Sequence, residues 1–430
     1  MKTLSLIACC SLVALFTTLG SPEANDLAGW AEQAVSPDQS IAQKAQDHLR
    51  GAGPQGLHAL QQRFAKEILA HQTGAPADAR WRRIGAALDR VGGQYDNYAS
   101  GLYWYTDLEK AKAAAQESGR PILSLRLLGH LDEDLSCANS RFFRTTLYPS
   151  VEVNQLLKDR FILHWESVRP APKVTIDFGD GRKLDRTITG NSIHYVLDSQ
   201  GTVVDALPGL YSAPVFVSEL RQAADAARPD QPHVGHDYTQ HLKSTESRLL
   251  QAWAADLSAI RVSLPANQTF TESDLEHLMD DQKWQQVAQL PTNPVSFDLQ
   301  VSQVMERKMP APRVVAAQRI SGAKAAGANK FPQAGLIAQL TMSKSAVESP
   351  MLRAMRNLAN TVAVDTVRNN YMLRTKILAF LAGPGARSIS LAQLNDWVYG
   401  QVFLTPREDP WLGLAPQGVF SAIDRNGESR

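Results

Sequence analysis

Apolar residues recur at three-to-four-residue spacing from residue 25 to about residue 95. Ile41, Ala45 and Leu49 make one stripe, and Leu57, Leu60, Phe64 and Ile68 another. That period predicts amphipathic helices packed through their apolar faces. Gly51 to Pro54 ends one helix and begins the next, since glycine accepts a left-handed cap and proline suits a first helical turn. From Gly101 the pattern changes. "TDLEKAKAAAQESG" predicts a helix with Thr106 as N-cap, Glu109 completing a capping box and Gly119 as C-cap. "RPILSLRLLG" is a β-forming apolar run, the signature of a central strand. "SVEVNQLLKDR" returns to helical spacing through Val153, Leu156 and Leu157, and "FILHWESV" follows as a second strand. "KVTIDFGDGRKLDRTIT" alternates with period two on either side of a Gly-Asp-Gly turn, which predicts a hairpin. "SIHYVLDSQGTVVDALPG" predicts two more strands around a Ser-Gln-Gly turn, and "SAPVFVSELRQAADAA" a closing helix.

This succession predicts an α/β unit, a central mixed sheet flanked by helices on both faces, over residues 101–228. A helical region precedes it at 25–100. Beyond Pro229 the strands stop, and "DYTQHLKSTESRLLQAWAADLSAI", "TESDLEHLMDDQKWQQVAQ", "SFDLQVSQVMERK" and the stretch around "DTVRNNYMLRTKILAFLA" carry helical spacing. Residues 229–430 are therefore expected to form a second helical body ending in a loop-like, proline-containing tail.

The first residues place Lys2 ahead of an apolar run from Leu4 to Leu19, followed by small and turn-forming residues to Ala24. That layout predicts a secretory signal at 1–24 and an exported, periplasmic or extracellular protein. The run is shorter than the ~20 residues a membrane-spanning helix needs, and no later stretch is longer or more apolar, so no stable membrane insertion is expected. Leu6-Ile7-Ala8-Cys9 looks like the box before a lipid-modified cysteine, but most of the apolar run follows it. Lys plus Arg number 44 against 43 for Asp plus Glu, which leaves no charge excess to attract nucleic acid.

Candidate chemistry narrows to one thiol. After residue 24 the chain holds a single cysteine, Cys137, so stability is expected to come from packed cores and not from an internal disulfide. No C-x-x-C-H, H-E-x-x-H, paired C-x-x-C, P-loop or G-x-S-x-G motif is present. Cys137 in "DLSCANSRFF" is either a small buried apolar side chain or a reactive thiol at a helix start. Asp132, Glu133 and Asp134 would raise its pKa, and Arg141 and Arg144 would lower it.

Trp104, "DLEKAKAAAQESGRPILSL", the Cys137 region, "SVEVNQLLKDRFILHWESV" and "HYVLDSQGTVVDALPG" together resemble the thioredoxin-like superfamily, over residues ~103–228. The resemblance implies a thioredoxin-like α/β domain and a cysteine held at a helix N-terminus, where backbone N–H groups favour the thiolate. Two registers compete. In one, Cys137 takes the first cysteine position, and Ser140 stands where the resolving thiol would be, as in C-x-x-S relatives. In the other, Cys137 takes the second, shielded position and Asp134 stands at the nucleophile's place; the 14 residues from Cys137 to Val151 suit this register slightly better. The family's cis-proline loop is also altered, because "ITGNSIHYVLD" offers Asn191 and Ser192 there and no proline.

Cys137 and Ser140 are thus the candidate catalytic residues, with Asn191, Ser192 and Arg141 the candidate binding residues. No cofactor and no metal is expected. The implied function is monothiol thiol-disulfide redox chemistry or thiol-based sensing on an exported protein or peptide client. The alternative is a non-catalytic thioredoxin-fold module that binds such a client, with Cys137 structural. Three weaker patterns have simpler explanations. His164 and His194 lie in predicted strands as core groups, His233 and His236 lie in a Pro-containing linker, and "GDGRKLDR" is a hairpin turn. Asp365, Arg368, Asn369 and Arg374, with Trp397, Tyr399, Phe403 and Trp411, would line a ligand pocket or close a helical core.

Overall fold

The computed structural model describes residues 22–187, 190–227, 238–264, 269–294 and 358–408. Residues 1–21 of the expected signal, His233, His236, Trp411 and the "SFDLQVSQVMERK" helix lie outside the described residues.

The N-terminal region is helical, with α1 (Pro22–Gln33), α2 (Gln39–Gly51), α3 (Pro54–Arg63), α4 (Ala65–Gln72), α5 (Ala79–Gly92) and α6 (Asn97–Ser100); the single stretch read over 54–72 divides at Phe64 into α3 and α4. Their core joins Ala45 and Leu49 to Leu57, Leu60, Phe64, Ile84, Leu88 and Val91. Ile41, expected on the same stripe, is instead 46% exposed, while Ala45 and Leu49 one and two turns on are buried. Pro54 occupies the first turn of α3 as its fixed φ suits, and Gly53 ahead of it has φ 68°.

A helix α7 (Leu108–Ser118) then leads into β1 (Ile122–Leu128). Its N-cap is Asp107 and not the expected Thr106: the Asp107 carboxylate accepts the Glu109 and Lys110 N–H groups, which a residue one position earlier could not reach. Gly119 ends the helix at φ 67°, as predicted. After β1 come α8 (Ala138–Phe142), a π turn (Phe143–Leu147), α9 (Val151–Arg160) and β2 (Ile162–Arg169). The hairpin β3 (Lys173–Asp177) and β4 (Lys183–Thr187) precedes β5 (Ser192–Leu197), β6 (Val203–Pro208) and α10 (Ala213–Ala226).

The central sheet is mixed and four-stranded, in the order β2-β1-β5-β6, with β1 parallel to β2 and antiparallel to β5. Every residue of β1 and β5 is buried, Ser124, Arg126, Ser192 and His194 included, as in strands covered on both faces. Register places Ser124, His164 and Tyr195 on one face, and Leu125, Trp165 and His194 on the other. The hairpin does not extend this sheet; it forms a separate two-stranded one with all five residues of β3 exposed.

Beyond residue 238 lie α11 (Thr239–Ala259), α12 (Glu272–Glu276), α13 (Asp281–Ala288), α14 (358–368), a π turn (Asn369–Leu373), α15 (Arg374–Ala382), α16 (Leu391–Trp397) and a final π turn (Val398–Val402). Trp253, Leu257, Trp284, Val287, Val367, Tyr371 and Leu378 build a core of their own. Ile377, Leu394, Val398, Tyr399 and Val402 join the core of the α/β unit instead, so its apolar interior is completed by residues far along the chain. At the end of β6, Gly209 has φ 73° and lies against the Asn369 side chain, where any Cβ would collide. No helix among the described residues is long and apolar enough to cross a membrane.

Candidate functional site around Cys137

Strand β1 ends at Leu128, and Gly129, at φ 73°, turns the chain into the loop that delivers Cys137 to the start of α8. The Cys137 N–H returns to the Leu128 carbonyl at 3.2 Å, tying the loop to the strand end. With φ −60° and ψ 162°, Cys137 is the N-cap of α8, and its Sγ accepts the Ser140 N–H at 3.4 Å. The Ser140 hydroxyl donates to the Cys137 carbonyl at 2.8 Å. The Arg141 N–H also closes on that carbonyl, at 3.2 Å, and the Arg141 side chain is half-buried.

The thiol itself has no exposed surface. Burial pushes its pKa above the ordinary value, because a thiolate there would lose its hydration, and this outweighs the opposing hydrogen bonds from Ser140, Leu128 and Asn139. The charged neighbours expected to bias it are not among the main causes. Arg144 is buried in an ion pair with Asp96 at 2.8 Å and donates to the Asp134 carbonyl at 2.7 Å, so its charge is already compensated.

Asn191 and Ser192 come to the same place, and both are engaged within the chain. The Asn139 amide, two residues after Cys137, donates to Ser192 Oγ at 3.0 Å. The Asn191 amide donates to Thr405 Oγ1 at 3.1 Å, and the Tyr399 hydroxyl donates to the Asn191 carbonyl at 3.1 Å. The Thr405 N–H donates to the Tyr399 carbonyl at 2.8 Å, and Arg169 donates to the Thr405 carbonyl at 2.8 Å. Tyr399 is fully buried, and a Cys137 thiolate would push its phenol pKa further up, which puts ring and sulfur in one electrostatic neighbourhood. The loop before β5 therefore meets a C-terminal segment that closes over it. No cis peptide bond occurs among the described residues.

The three histidines of the domain serve other partners. His194 is fully buried, shares a 2.8 Å hydrogen bond with the Tyr148 hydroxyl and stacks edge-on against Phe143 and Phe216. Burial lowers its pKa to about 3, so it stays neutral. His164 bonds Ser124 at 2.9 Å and is lowered likewise to about 3 by burial, helped by Arg126. His130 is exposed and packs edge-on against Trp165. No group of three or more His, Cys, Asp and Glu among the described residues could hold a metal ion.

A second polar centre escaped sequence reasoning except for Arg374. That guanidinium, wholly buried, donates to both Asp205 oxygens, at 2.8 and 3.2 Å, and to Glu219 at 2.7 Å. Arg248 donates twice to Glu219, and His241 meets Asp205 at 3.1 Å. Both carboxylates are held below their ordinary pKa: burial works in the opposite direction, and the guanidiniums and hydrogen bonds overcome it. The signal available was Asp205 as the one charge within the strand "VVDAL" and Arg374, two residues before Lys376, within the otherwise largely apolar "MLRTKIL". Asn369 donates to the Leu210 carbonyl at 2.9 Å, Trp397 stacks on Phe380 at 3.9 Å, and Tyr399 packs on Phe403. These groups of the helical tail are spent on packing the chain together and do not converge on one pocket. A cavity of about 560 Å³ opens between the Gln200–Val203 turn, Tyr238, Leu242 and Leu391, and none of the five candidate residues lines it.

A scan against protein-family models, a search of curated proteins and a search of solved structures each found no match to this chain.

Proposed function

We propose that this chain is an exported protein of thioredoxin-like architecture that acts by binding a protein or peptide client, with Cys137 in a structural role. The observation that carries this reading is the state of the thiol: it is fully buried, caps α8 through the Ser140 N–H, and has its pKa raised by burial. A thiol that attacks a disulfide must be accessible and must form a thiolate near neutral pH, and Cys137 meets neither condition. The β2-β1-β5-β6 order, with a parallel β1/β2 pair and helices against the sheet, supports the thioredoxin-like part of the reading.

The test is thiol labelling of the folded protein across pH. Labelling that requires denaturation supports the binding module. Rapid labelling with an apparent pKa well below the ~8.5 of free cysteine would overturn it. One observation favours monothiol chemistry as a second reading: the sulfur sits at a helix start and already accepts a backbone N–H. That chemistry requires Tyr399 and Thr405 to leave the Asn191 loop. Mixed-disulfide turnover that is lost in Cys137→Ala would establish it.

A further inference from the structure

The hairpin β3–β4 stands apart from the central sheet with an apolar stripe on one face: Val174, Ile176 and Phe178 are 40%, 46% and 52% exposed. It is tied to the body at its base, where the Thr187 hydroxyl donates to the Ser136 carbonyl at 2.8 Å. A lone two-stranded hairpin is marginal in water, and an open strand edge is a template for pairing. The register fixes which backbone groups are open. Phe178 N–H donates to the Arg182 carbonyl, and pairing continues as Ile176 with Leu184 and Val174 with Arg186. In an antiparallel ladder the intervening residues point their N–H and C=O groups the other way. Lys173, Thr175 and Asp177 thus present a row of outward backbone donors and acceptors on the outer edge of β3.

We infer that this edge pairs with the same edge of a second copy of this chain, antiparallel about a two-fold axis through Thr175. The sequence is self-complementary in that register. Lys173 lies opposite Asp177 of the second copy, twice by symmetry, and Val174 lies opposite Ile176 of the second copy. The two opposite-charge pairs fall at bonded positions, where all the outward backbone groups of Lys173, Thr175 and Asp177 find partners. The two apolar pairs fall at the intervening positions, where side chains approach most closely. Sliding one strand by two residues, the smallest slide that keeps the outward backbone groups facing each other, would place Asp177 opposite Thr175 and lose both charge pairs, so the register is specified. A two-fold contact uses one patch on both subunits and closes on itself, leaving no open β3 edge to recruit further copies. The result is a four-stranded ribbon with the four exposed Val174 and Ile176 side chains clustered on one face. This contact is separate from Cys137 and stands or falls independently of the thiol's role.

The full chain should sediment as a concentration-dependent dimer. Lys173→Glu faces Asp177 of the second copy with a like charge and should weaken dimerisation about tenfold, with the circular dichroism spectrum unchanged. Adding Asp177→Asn, which keeps an acceptor for the Gly179 N–H but removes the like charge opposite Glu at position 173, should recover part of the lost affinity. Thr175→Cys, on the axis, should form an interchain disulfide under mild oxidation while Cys137 stays unreacted. A chain that remains monomeric at tens of micromolar, a dimer indifferent to Lys173→Glu, or a Thr175→Cys chain that does not cross-link would each overturn the assignment. A monomer that instead captures an added extended peptide on this edge would show a foreign strand as the occupant and also overturn it.

Discussion

Cys137 combines two features that sequence alone treated as alternatives: it sits at a helix start, and it is buried. Its sulfur acts as the cap acceptor for Ser140, a place usually taken by Ser, Thr, Asp or Asn oxygen. Cys137→Ala should therefore cost about 1–2 kcal/mol in denaturant unfolding, from the lost cap and the small void together. Cys137→Ser keeps an acceptor for the Ser140 N–H and should recover part of that loss; equal destabilisation by both would exclude the capping role. His194 makes a separate residue-level prediction. Its folded pKa lies near 3, well below the unfolded ~6.5, so between those values the unfolded chain binds a proton that the folded chain refuses. The stability due to neutral His194 is complete above pH 6.5 and declines as pH falls toward 3. His164 adds to this slope, whereas buried Asp89, raised to about 7 chiefly by desolvation, opposes it. The comparison to make is thus wild type against His194→Gln. Wild type should lose up to about 1.4 kcal/mol more per pH unit on acidification from pH 6, by urea unfolding at each pH.

Among elements, the strands and most helices of the α/β unit were legible, because a seven-residue run such as Ile122–Leu128 between Gly119 and Gly129 is short for a buried helix and has the length of a strand. The N-cap was misplaced by one residue at Asp107, since Thr106 and Asp107 are both good caps and only the backbone path selects between them. The hairpin was legible as a hairpin but not as a separate arm, because period-two alternation specifies two faces and says nothing of what lies against them. The contact of β6, α10 and α15 rests on Arg374. Arg374→Met would strand Asp205 and Glu219 as buried charges without their main partner, at a cost of about 3–5 kcal/mol. Both carboxylates have folded pKa values below the unfolded ones, so the stability they supply is full above the unfolded carboxylate range and is lost as pH falls through the folded values. The gap between wild type and Arg374→Met should therefore narrow below about pH 4, where protonation relieves the stranded charges; a gap that stays constant with pH would show that lost packing dominates. Gly209→Ala should destabilise by about 1–3 kcal/mol, from its left-handed φ and the collision with Asn369.

Across the chain as a unit, some of the contacts around the Cys137 region join residues about two hundred positions apart. Tyr399 and Thr405 hold the Asn191 loop, and Leu394, Val398 and Val402 complete the core that contains Cys137. Tyr399→Ala should open this cover and speed Cys137 labelling in the folded protein at least tenfold, read by thiol-reagent kinetics with unfolding monitored in parallel; unchanged kinetics would mean the thiol is shielded by its own domain alone. Local physics was enough to announce the helical entry, the α/β succession and the hairpin turn, since period and turn chemistry are written in neighbouring residues; that Asn191 and Ser192 face the Cys137 segment was implied only by the family resemblance. Whether Cys137 meets solvent was not written there. Cys137 is buried in one apolar cluster with Val398, Tyr399 and Val402, and helical periodicity marks an apolar face without naming the surface that will cover it. The same holds for Arg374: the sequence does not tell it from its neighbour Lys376 as the buried cation, and only folding brings Asp205 and Glu219 around it.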